Sequence, residues 1–146
     1  MSDLDEVQRL RAAIDTSMEE LGMPPLSTDE HGNHLFRYGC AGGTVVAVAE
    51  GEYSTLPEIR VDLIAARGLR SSRALLEELN SINQTPTGAT VFFRDGEVHV
   101  ATTLLPGRCT SVEIGSAMAF VGSLARDIGP MLAAVYGGET PHPFLH

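Results

Sequence analysis

The stretch "ATVFFRDGEVHV", Ala89 to Val100, leaves this chain little local freedom. Two runs of β-branched and aromatic residues flank Asp95-Gly96, a dipeptide that tolerates the positive φ angles of a two-residue primed turn. Such a turn fixes the register: Arg94 faces Glu97, Phe93 faces Val98 and Phe92 faces His99. Side chains alternate between the faces of a strand. Val91, Phe93, Val98 and Val100 therefore share one face, while Phe92, Arg94, Glu97, His99 and Thr103 share the other. A slip of one residue would bury Arg94 and Glu97, so the first set is assigned to the core.

The flanking sequence supplies the partners of this hairpin. From Asp3 to Leu21, apolar residues at Leu4, Val7, Leu10, Ile14, Met18 and Leu21 fall on one helical stripe, and Gly22-Met23-Pro24-Pro25 ends it. "LSTDEHGNH" reads as a polar loop. "HLFRYGC", "AGG" and "TVVAVAE" read as two strands joined by a glycine turn, and "EIRVDLI" as a third with alternating faces. "SSRALLEELNSIN" predicts a second helix capped by Ser71 or Ser72. The last helix starts near Thr110, where Thr110 and Glu113 have capping-box spacing, and it kinks or restarts at Pro130 before Gly137-Gly138 stops it. The order α-β-β-β-α-β-β-α, with strands in antiparallel runs, predicts an α+β domain with helices packed on one face of the sheet. That domain spans residues 1–138, and residues 139–146 form a short flexible tail.

Composition removes several classes of function. Among 146 residues, 43% are hydrophobic and 20% charged, which argues against disorder. No apolar run approaches the roughly 20 residues of a membrane span, and the acidic start is unlike a signal peptide. With two cysteines and no disulfide framework, a cytoplasmic chain that uses neither membrane nor cofactor is the simplest reading. The net charge is −9, with arginine supplying every cationic side chain apart from histidine, so nucleic acid is not an expected partner.

The candidate chemistries are thin. His31 and His34 in "HGNH", with Cys40 nearby, lack the ligand number and spacing of a zinc site, and both histidines read as solvated. No Gly-x-Ser-x-Gly elbow or phosphate loop is present. Cys109, beside Arg108 at a helix start, is the one nucleophile with a favourable setting, and it defines an alternative reading as a small thiol enzyme. A regulatory domain that senses a ligand between sheet and helices is a further alternative. With helices on one face only, the other face is free for a partner. Phe92, His99, Arg94 and Arg60 are placed there, and Phe120, off the main apolar stripe of the last helix, is added to the partner-binding set. No catalytic or metal-binding residue is assigned.

"LLEELNSIN…TGATVFFRDGEVHVATTLLP" carries a broader resemblance. Leucines before an Asn-x-x-Asn helix end, a hairpin turning on Asp-Gly and a long alanine-rich helix ending in Gly-Gly are similar to the YbjN-type family. That family shares its fold with the class I type III secretion chaperones. The resemblance runs from about Leu4 to Gly138. It implies a non-enzymatic module, usually a homodimer, that presents a sheet and apolar grooves to an extended segment of a client protein. It transfers no catalytic residues.

Overall fold

A computed structural model describes residues 2–51, 55–85 and 88–143. Helix α1 (Asp3–Glu20) is followed by strands β1 (His34–Tyr38), β2 (Ala41–Val48) and β3 (Glu58–Ala66), then by helix α2 (Arg73–Asn83). Strands β4 (Thr90–Arg94) and β5 (Glu97–Leu104) lead through a 3-10 turn at Pro106–Arg108 into helix α3 (Ser111–Tyr136). The strands form one antiparallel sheet in the order β1-β2-β3-β5-β4. The α+β architecture and the element order match the sequence reading.

Local chemistry explains the element ends. Ser2 and Asp5 form a reciprocal capping box on α1, and Ser72 accepts from Leu75 N–H at the start of α2. Gly22, at φ 66°, closes α1 in a Schellman arrangement, with Met23 N–H bonded to Met18 O and Gly22 N–H to Glu19 O. Asp95 and Gly96 both have positive φ, 52° and 82°, as the primed turn requires. Thr110 caps Glu113 N–H, but the Glu113 carboxylate turns to Arg108 instead of completing a box.

The expected face assignment holds in the hairpin. Val91, Val98 and Val100 join Val45, Val61 and Leu63 in a core closed by Ile14, Ile114, Val121 and Leu132 from the helices. Helix α3 crosses this face at very short range. A Cβ at Gly129 would collide with the Ala65 carbonyl oxygen, and one at Gly122 with the Tyr38 ring. Of the kink or restart expected at Pro130, the restart does not occur: α3 is one helix through it. Pro130 removes one N–H donor, and the buried neighbours Ile128, Gly129, Leu132 and Ala133 keep the segment helical around it.

Two further differences concern histidine and the tail. His34 is not solvated: it opens β1, faces the core and donates through Nε2 to Asp15 Oδ1 on α1 at 2.8 Å. The segment expected to trail free from residue 139 is tied down as far as His142, while residues 144–146 lie outside the described residues. Glu139 and Arg67 exchange backbone hydrogen bonds, and His142 N–H bonds Cys40 O. The His142 ring covers Gly42 on the helix-free side, so one corner of that face is occupied by the chain itself.

The two sheet edges are finished differently. On β4 the Asn83 side chain imitates a neighbouring strand: its Nδ2 donates to Val91 O at 2.7 Å and its Oδ1 accepts from Val91 N–H at 2.9 Å. Replacing Asn83 by Ala leaves both groups of a buried residue unsatisfied at an edge. We expect the variant to lose about 1–3 kcal/mol in urea unfolding and to aggregate sooner in a light-scattering assay.

Candidate functional site

The row Arg37, Gly42, Ile64, His99 and Phe92 crosses all five strands on the side away from the helices. At its β4 end the aromatic pair is an internal structure more than a presented one. His99 is only 5% exposed. Its Nδ1–H donates to Asp62 Oδ1 at 2.8 Å, and Nε2 lies 3.4 Å from Glu97 Oε1 without hydrogen-bond geometry. Phe92 stacks on the imidazole at 5.0 Å and 4°, and the Arg94 guanidinium lies 5.6 Å above the Phe92 ring. Phe92 is therefore engaged within the chain by both an imidazole and a guanidinium. The hydrogen bond to Asp62 holds the His99 pKa above its ordinary value, against the opposing effect of burial; the Asp62 and Glu97 charges add to the rise and Arg94 reduces it.

The remaining expected partner residues do not complete one patch. Arg60 lies on the same face, with its Nε bonded to Glu58 Oε2 at 2.8 Å. Phe120 is 58% exposed, but it sits on α3 in the helical layer, beside Gly88 at the head of β4. Cys109 is buried, its thiol directed at the carbonyls of Leu104 and Leu105, and burial pushes its pKa up. An activated thiolate needs the reverse, which counts against the thiol-enzyme alternative. Among the described residues no cluster of His, Cys, Asp or Glu has the arrangement of a metal site. One helix, α3, is long and apolar enough to cross a membrane by composition, yet its buried side is the roof of the core.

A concave feature lies at the opposite edge of the sheet. An open groove of about 570 Å³ runs between the C-terminal end of α1, the segment Met23-Pro24-Pro25-Leu26, edge strand β1 and the first half of α3. Met18, Phe36 and Met118 form apolar lining, Leu35 contributes a side chain that is 43% exposed, and Arg37 is the charged residue in the lining. Its depth depends on a missing side chain, since a Cβ at Gly115 would crowd Leu21 and Ser17. The outer side of β1 is met at its start by the loop, through the Thr28–His34 bridge and the Leu35 N–H to Ser27 O bond. The sequence reading took Gly22 to Pro25 as a helix terminator and did not place a site there. The signal available was a run of four apolar residues, Met23 to Leu26, directly after a cap.

This combination of a five-stranded antiparallel sheet and three helices has counterparts. Residues 8–143 match the family described as T3SS (YopN, CesT) and YbjN peptide-binding chaperone 1. The chain belongs to this family. A search of the curated proteins finds no match. Among solved structures, the fold of this chaperone-family member is similar to a chain in the crystal structure of the ExsC–ExsE complex. The TM-score is 0.66 at 18% identity, over 86% of this chain and 95% of that one. A chain in the HopA1–SchA chaperone–effector complex gives 0.60 at 13% identity, over 87% and 97%. The Yersinia pestis type III secretion chaperone SycH, in complex with a stable fragment of YscM2, gives 0.53 at 14% identity, over 80% and 96%. At these identities the likenesses establish the shared fold.

The His99 cluster makes a prediction with a definite sign. A raised histidine pKa means that the folded form holds the proton more tightly than the unfolded chain. The resulting stability is fully present below the ordinary value of 6.5 and is lost as pH rises through the folded value. Urea midpoints of the natural chain should therefore fall, relative to His99→Gln, as pH rises from the ordinary value of 6.5 through the raised folded value. Parallel curves across that window would show that the Asp62 bond has no such effect.

Proposed function

We propose that this chain is a non-enzymatic chaperone, cytoplasmic and homodimeric, that holds an extended segment of a client protein in the groove beside β1. The single observation that carries the reading is the juxtaposition of an apolar groove with a sheet edge. An edge strand supplies main-chain hydrogen bonding, and the groove takes apolar side chains, which is the physical basis of strand-addition recognition. The family description and the chaperone–effector complexes among the structural neighbours support the same reading. No step in it uses a cofactor, nucleic acid or membrane.

The second copy is assigned to the other edge. Phe120 beside the head of β4, and Leu76 on α2, are large exposed apolar groups in the helical layer. The helix-free set Phe92, His99, Arg94 and Arg60 is the rival client surface, and the contacts of the Phe92 ring with His99 and Arg94 make it the weaker one. The ligand-sensing alternative gains little, because the described groove lies at the sheet edge while Leu63, Val100, Ile114 and Val121 fill the space between sheet and helices.

A photo-reactive residue at Leu35, compared with one at Thr103 on the helix-free face, identifies the captured client and the surface that holds it. For that client, Leu35→Asp or Met23→Asp should weaken binding at least about tenfold, or about 1.4 kcal/mol, with little change in Tm. Unchanged affinity in both variants, with loss in Phe92→Ser, would move the site to the helix-free face. Light scattering after size exclusion should give twice the chain mass, reduced toward a single chain by Phe120→Asp.

A further inference from the structure

The segment after α3 is built like a fastening. Gly138 lies so close to Arg67 and Leu69 that a Cβ would collide with the Arg67 carbonyl oxygen and with Leu69 Cδ2. Beyond it, Arg67 N–H donates to Glu139 O at 2.8 Å and Glu139 N–H to Arg67 O at 2.9 Å, while Arg67 Nε holds the Glu139 carboxylate at 3.1 Å. Thr140 Oγ1 donates to His142 O at 2.8 Å, which folds the segment back, and His142 N–H reaches Cys40 O at 3.0 Å. The chain thereby links the end of β3 to the turn between β1 and β2.

The imidazole completes the closure. A Cβ on Gly42 would lie 2.6 Å from His142 Nε2 and 3.0 Å from Cδ2, so the ring occupies the space that any other residue would fill. Gly42 is buried although no helix covers its side of the sheet. It stands in register with Arg37 on β1 and Ile64 on β3. The charged groups around the ring are unsuited to a cation: Arg37 comes from β1 and Arg67 from the end of β3, and the strap's own carboxylate, Glu139, is engaged by Arg67. Cys40 contributes a carbonyl. Burial, then Arg37 and Arg67, hold the His142 pKa below its ordinary value of 6.5.

We propose that Glu139–His142 is an acid-released latch: the neutral His142 ring keeps it closed over Gly42, and protonation of that ring frees it and bares the Arg37–Gly42–Ile64 end of the helix-free face. The sign follows from the surroundings. Closure is favoured above the ordinary histidine range and weakens as pH falls through it, since the charged ring gains water on leaving and escapes two guanidinium groups. The inference concerns the face opposite the helices and does not depend on the client groove.

Amide exchange on the full chain tests it, read as protection factors at about pH 7.5 and about pH 5.5, either side of the histidine range. The His142, Glu139 and Arg67 amides should lose protection several-fold at the lower pH, up to the ceiling of about tenfold that one proton on a released ring of ordinary value 6.5 allows, while Leu63 and Val100 in the core do not. His142→Phe keeps a ring on Gly42 without a titrating group, and should show equal protection at both values. Gly42→Ala should displace the ring and leave the His142 amide poorly protected at both. Equal protection of the natural chain at the two pH values, or an undiminished pH response in His142→Phe, overturns the proposal.

Discussion

Backbone contact between α3 and the central strand β3 sets the geometry of this molecule. Gly129 over the Ala65 carbonyl permits a helix-to-sheet distance that any side chain would increase. From that contact α3 runs back past Gly122 and Tyr38 to Gly115, where it meets the end of α1. Helix α1 packs mainly on α3 and touches the sheet less. The position of α1, and with it the wall of the groove, is thus inherited from how closely α3 lies on β3.

The sheet treats its edges by two different methods. At β4 a single amide satisfies both main-chain groups of Val91, and α2 lies alongside. Among the described residues, the outer side of β1 is bridged at the start of the strand, and the surface beyond it is a concavity lined mainly by apolar side chains. An edge strand is a template for pairing, and proteins cover or charge the edges they do not use.

How much of this was legible in the chain depended on distance along it. The hairpin, the helices and the core face followed from local patterns, because turn chemistry and side-chain periodicity act within a few residues. His34 was misread because its explanation, Asp15, lies on α1, and glycine and asparagine beside it gave the appearance of a loop. The face of His99 was assigned correctly but not its burial, which comes from Asp62 on β3 and from the Phe92 stack. The groove left almost no trace, since Met118 reaches it from a helix far along the chain. Pro130 shows the converse: a strong local signal for a break is overridden by packing at its neighbours.

The composition of the groove wall has a mechanical consequence. Pro24 and Pro25 restrict the main chain, and the Schellman closure at Gly22 anchors one end while the Ser27 and Thr28 contacts anchor the other. Met18, Met23 and Met118 bring unbranched, polarizable thioethers that change rotamer at little expense. Such a surface is stiff in its path and soft in its lining. It can conform to apolar shapes that differ in detail without any rearrangement of the backbone that frames them.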